Sequence, residues 1–121
     1  MPGTYTVRLT AGGRTHDQPL QVVEDPRIQV STADRKAWTD AQMAIADLYR
    51  GAATLTERLD RDTTPAAADV RRMARELRTR LLTLYRDVGR STAKPTADQQ
   101  AQMQFLRAQL ESLRRRSAFA P

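Results

Sequence analysis

The sequence contains no cysteine, which excludes disulfide staples and thiolate metal sites. It holds one tryptophan, three tyrosines and two phenylalanines. Alanine and leucine make up most of the apolar content instead, which suits thin, closely packed helices rather than a wide sandwich. His16 is the sole histidine, and a metal site or a catalytic triad needs several convergent partners that are not spaced for it here. No apolar run approaches the ~20 residues needed to span a bilayer. Residues 1–9 carry no charged stretch leading into an apolar one, so no signal peptide is expected. Glycine-rich phosphate cradles are missing too, because Gly12-Gly13 lies between two strand patterns and not ahead of a helix.

What is present is a chain of 121 residues, a length that suits one domain with a modest core. The formal net charge is +6. It is carried almost entirely by arginine, since Lys36 and Lys94 are the only lysines. A basic surface can favour nucleic acid or anionic lipid. Arginine in place of lysine also follows from a GC-rich genome, and that account is favoured over an anionic partner.

Residues 4–23 read as a β-hairpin. Tyr5, Val7 and Leu9 alternate with Thr4, Thr6 and Arg8, and Leu20 and Val22 alternate on the return, which is the period of half-buried strands. Gly12-Gly13 supplies the turn, where glycine accepts positive φ without strain. Pro19 cannot donate to a ladder, so its strand is an edge or is interrupted there. Two strands alone are marginal in water. The hairpin must lean on the helices or belong to a larger sheet.

After Asp25-Pro26-Arg27 the period changes. Trp38, Ala41, Ile45, Leu48, Ala52, Leu55 and Leu59 fall at steps of three and four, the spacing of a helix that buries one narrow stripe. Ser31 or Thr32 can cap this helix, predicted over residues 33–59. Gly51 inside it costs ~1 kcal/mol relative to alanine, with close approach of a neighbouring helix as the expected benefit. A second helix is predicted over 65–90, capped by Thr64 with Pro65 in its first turn. Val70, Met73, Leu77, Leu81, Leu84 and Val88 form its stripe, Leu82 and Tyr85 sit at its margin, and Gly89 is the expected terminator. A third is predicted over 97–116. It opens on a Thr96–Gln99 capping box, and Met103, Leu106, Leu110 and Leu113 form its stripe. Residues 117–121 are expected to fray. The fold class is therefore mainly α with a small β part. Residues 1–27 form a β-hairpin and 28–121 an antiparallel three-helix bundle.

The run Pro2-Gly3-Thr4-Tyr5-Thr6-Val7-Arg8-Leu9-Thr10, the Gly12-Gly13 turn, Gln18-Pro19-Leu20-Gln21-Val22 and Asp25-Pro26-Arg27 resemble a carboxy-terminal passage of bacterial sortilin-like β-propeller proteins, the BNR-repeat glycosyl-hydrolase type. Pro95 and the Thr96 region are similar to that family's final helix. The resemblance implies the last two strands of an immunoglobulin-like sandwich followed by a helical extension. It also implies that any hydrolase activity belongs to an upstream propeller, and that the location is extracytoplasmic if the parent protein is exported. No catalytic residue of the family maps onto this sequence.

The candidate sites follow from these patterns. Asp40 and Asp47 share a helical face beside Lys36 and Arg50, a solvated surface rather than the cleft that paired carboxylates need for glycoside hydrolysis. Trp38 is expected to pack against the hairpin or another helix. No catalytic, cofactor-binding or metal-binding residue is assigned, and no cofactor is expected. Tyr5, Val7, Leu9, Leu20 and Val22 form a possible sheet-pairing face towards a protein partner, supplied in cis or in trans. Arg71, Arg75 and Arg78 follow helical spacing and, with Arg114, Arg115 and Arg116, form a possible strip for an anionic partner. Asp69, Glu76 and Asp87 interrupt it, and an intrahelical pair such as Arg72–Glu76 would absorb part of it. Nucleic-acid binding is the alternative function, and self-association is a third.

Overall fold

The structure, a computed structural model, describes residues 2–118. It is mainly α with a small β part: β1 (Gly3–Ala11), β2 (Arg14–Val22), α1 (Thr32–Asp60), α2 (Pro65–Gly89) and α3 (Ala97–Ala118). Of the segment expected to fray, Ser117 and Ala118 are helical, and 119–121 lie outside the described residues.

Local chemistry sets the helix ends. The Ser31 hydroxyl accepts from the Asp34 N–H at 3.0 Å, and the Thr64 hydroxyl accepts from the Ala67 N–H at 3.3 Å. Thr96 and Gln99 form the reciprocal capping box, with bonds of 3.0 and 3.2 Å, satisfying two backbone donors that open a helix. Gly89 ends α2 without the left-handed conformation expected of a terminator, for it is not among the glycines with positive φ. Its small size serves packing instead, since a Cβ there would lie 3.3 Å from Gln42 Nε2.

The core runs along the three predicted stripes. Ile45, Leu81, Leu84, Leu106 and Leu110 are the largest fully buried side chains. Ala67 and Ala74 of α2 join them. Trp38, Leu48, Met73 and Met103 are only partly buried against this core. Polar bonds lock the antiparallel arrangement. Trp38 Nε1 donates to the Val88 carbonyl at 2.9 Å and Gln42 Nε2 to the Tyr85 carbonyl at 3.1 Å, tying the start of α1 to the end of α2. Trp38 thus packs on a helix and not on the hairpin. At the opposite end, Arg71 Nη1 donates to the carbonyls of Leu59 and Asp62 at 2.9 and 3.1 Å. Gly51 takes the close approach expected of it: a Cβ there would meet Leu110 Cδ2 at 3.2 Å and the tip of Arg114, both on α3.

The hairpin does not lean on the helices. Among the described residues, no strand Cα comes within 8 Å of a helix Cα, and every residue of both strands is exposed. Residues 23–31 connect the two parts. An Asx turn holds that link, with the Arg27 N–H donating to Asp25 Oδ1 at 2.9 Å and the Ile28 N–H to the Asp25 carbonyl at 2.9 Å. Glu24 then pairs with Arg35 in the first turns of α1.

Candidate interaction surfaces

The hairpin register decides which side chains share a face. Gly12 and Gly13 both have positive φ, 56° and 73°, the type I′ geometry whose twist matches that of the flanking strands. The two-residue loop pairs Ala11 with Arg14, and the ladder continues through Leu9↔His16, Val7↔Gln18, Tyr5↔Leu20 and Gly3↔Val22. Directly opposed residues lie on one face. Tyr5, Val7, Leu9, Leu20 and Val22 therefore stand together, between 39% and 61% exposed. His16 lies at the end of this face, opposite Leu9. The other face is polar: Arg8 and Asp17 form a two-pronged ion pair of 2.8 and 2.7 Å, and the Thr10 and Thr15 hydroxyls are 3.3 Å apart. The Arg8 guanidinium holds the Asp17 carboxyl below its ordinary range.

The same register makes the two edges unequal. With Ala11 and Arg14 as the hydrogen-bonded pair beside the turn, bonded pairs recur at every second residue. Thr6↔Pro19 is then a non-bonded pair, so Pro19 costs no ladder bond and β2 runs through it uninterrupted. Its missing N–H falls on the outer edge of β2. The outer edge of β1, where Thr4, Thr6, Arg8 and Thr10 direct their backbone groups, has no such block.

The arginine strip is largely engaged within the bundle. Arg71 caps α1, as described above. Arg75 pairs with Asp60 at 2.7 Å. Arg78 Nη2 donates to the Tyr49 hydroxyl at 3.2 Å, and its guanidinium lies 5.4 Å from the Tyr49 ring centre, a cation–π contact. Arg114 reaches Gly51 of α1, Arg116 Nη1 lies 3.1 Å from Met73 Sδ, and Arg115 is exposed near the end of α3. The two arginine groups thus meet different neighbours. Arg72 pairs with Asp69 at 3.5 Å instead of Glu76.

The remaining candidates are on solvated ground. Asp40 pairs with Lys36 at 2.6 Å, and Asp47 pairs with Arg50, all four exposed. Among the described residues, no three His, Asp or Glu side chains gather as a metal cluster, and no helix is long and apolar enough to cross a membrane. Leu82 and Tyr85, expected at the margin of the α2 stripe, join Arg78 of the expected basic strip in a second stripe that the sequence reading did not group, and it lines clefts with Ala46 and Tyr49 of α1. The signal was the i, i+4, i+7 spacing of those three residues beside the core stripe.

Comparison with protein families, with characterised proteins and with solved structures finds no match to this chain.

Proposed function

We propose that the chain is a non-catalytic interaction module whose hairpin completes a β-sheet in a protein partner while the helical bundle braces it. The observation that carries this reading is the exposed apolar face of Tyr5, Val7, Leu9, Leu20 and Val22 on a ribbon that no helix covers. Covering that face removes apolar surface from water at about 25 cal/mol per Å², and adding a strand also satisfies backbone groups along an edge. Because Pro19 sits on the β2 edge, the partner strand pairs with β1. Bundle packing against the same partner follows from the short link of residues 23–31. The likeness to the tail of sortilin-like propeller proteins fits this reading, with the parent sandwich as the incomplete sheet.

The test is to seek a β-sandwich lacking its final strands, encoded in frame upstream or in an adjacent gene, and to co-express it with this chain. Amide exchange at Thr4, Thr6, Arg8 and Thr10 should slow by orders of magnitude in the complex. Exchange at those amides that stays as fast as in the isolated chain would reject the reading.

A further inference from the structure

The bundle carries a second exposed apolar surface, separate from that of the hairpin. α3 covers one side of the α1–α2 pair, through Leu110 against Gly51 and Arg116 against Met73. On another side, two adjoining clefts run between α1 and α2. One, of about 180 Å³, is lined by Ala46, Tyr49, Arg50, Leu81, Leu82 and Tyr85. The next, of about 340 Å³, shares Tyr49 and Leu82 and reaches Arg75 and Arg78. Tyr85 is 41% exposed, and Met43, one turn before Ala46, is 57% exposed.

Every charged residue lining these clefts is an arginine. Asp47 neutralises Arg50 and Asp60 neutralises Arg75. Among the described residues Arg78 has no carboxylate: it meets only the hydroxyl and ring of Tyr49, and its Nε is buried with no hydrogen-bond partner. A half-buried guanidinium in this state gains from an incoming carboxylate, because charge-assisted bonds are the strong ones.

We propose that this groove binds an acidic amphipathic helix of another protein. Its apolar anchors would lie along Ala46, Leu82 and Tyr85, and one carboxylate would pair with Arg78. Charge complementarity selects the acidic partner. Shape selects the helix: the two clefts adjoin through Tyr49 and Leu82 and together make an elongated groove between α1 and α2. The span from Arg75 to Tyr85 is about 15 Å at 1.5 Å per residue, or about three turns, and a helix packs naturally between two others. Nucleic acid is the weaker fit, because Arg71 and Arg75 already serve α1 and Asp47 pairs with Arg50, which leaves, among the described residues, one cleft arginine without a carboxylate for a phosphate backbone to meet. The proposal does not depend on the hairpin.

The probe is a synthetic helical peptide with leucine at i, i+4, i+7 and i+11 and glutamate at the flanking positions, titrated into the isotope-labelled full chain. Two controls accompany it: the same peptide with lysine for glutamate, and a single-stranded oligothymidine of equal charge. The glutamate peptide should bind and shift the amides of Ala46, Tyr49, Leu82 and Tyr85. Arg78→Gln should weaken it about tenfold, the loss expected of one charge-assisted bond. Leu82→Glu should abolish it, with the bundle's melting temperature retained in both variants. The proposal is overturned if the glutamate peptide fails to bind, if the lysine peptide binds equally, if the shifts fall on the hairpin, or if oligothymidine moves the same amides more strongly.

Discussion

In the bundle, Leu81, Leu84 and Leu106 are completely buried, whereas in the hairpin Val7, Leu9 and Leu20 keep half or more of their surface exposed. Both regions are amphipathic, one with the period of a helix and the other with the period of a strand. The helices find three complementary stripes within one chain, so each covers the others. The ribbon has a register and a turn but no layer to lie on. A periodic pattern states which face must leave water. It does not state what covers that face.

The sharpest way to break this contrast is a pair of truncations. Leu81→Ala removes a fully buried side chain and should cost about 2 to 5 kcal/mol. Leu9→Ala, at 61% exposed, should change the melting temperature of the isolated chain hardly at all, within about 0.5 kcal/mol. Thermal unfolding followed by circular dichroism compares the two. A large loss from Leu9→Ala would mean that the ribbon is covered within the chain after all. Leu48 falls between these limits. Its place in the heptad suggests full burial, but it is only partly buried, so Leu48→Ala should cost less than Leu81→Ala.

Next in size is the turn. Gly12 and Gly13 hold positive φ with open space around both Cβ positions, so a side chain there meets strain and no clash. Gly13→Ala should cost about 1 to 2 kcal/mol in the hairpin alone. The Cα shifts of residues 3–22 would then move towards coil while the bundle melts as before. A matching fall in bundle stability would show that the two parts fold as one unit.

Much of this architecture was legible because it is local. The hydroxyls of Thr64 and Thr96, the glycine pair and the three-four spacing each act within a few residues. The engagement of the arginines was not legible, because it is decided across helices. Arg71 reaches the end of α1 and Arg78 reaches Tyr49, 29 positions away in sequence. The pairing face of the hairpin could be read from alternation, but its standing clear of the helices could not. That depends on how residues 23–31 carry the chain from β2 into α1, which the alternation does not encode.

Acid should separate the two regions more gently. Asp17 lies below the ordinary carboxylate range because of Arg8, and Asp62 because the Thr64 N–H and hydroxyl donate to it. A lowered folded-state pKa gives stability that is complete above the unfolded carboxylate value and is lost as pH falls through the folded one. Both groups should therefore weaken their regions as pH falls below about 4. Asp17→Asn should flatten the acid response of the hairpin shifts and leave that of the α1–α2 connection unchanged. A hairpin that still loosens with the same midpoint in Asp17→Asn would show that another group drives the change.

The smallest expected effect tests the contrast from inside the bundle. Gly51 lies in mid-helix, where alanine is favoured over glycine by about 1 kcal/mol. Against that gain, a Cβ would stand 3.2 Å from Leu110 Cδ2 and would also meet the end of Arg114. The arginine tip is long and can swing aside. Leu110 is 2% exposed and has little room to move. The two terms nearly cancel, so Gly51→Ala should leave the melting temperature within a few degrees of the parent. Gly51→Leu has no such balance: it must push α3 off α1 and should unfold that contact, read as faster exchange at Leu106, Leu110 and Leu113. Equal tolerance of alanine and leucine would mean that α3 is held by α2 alone.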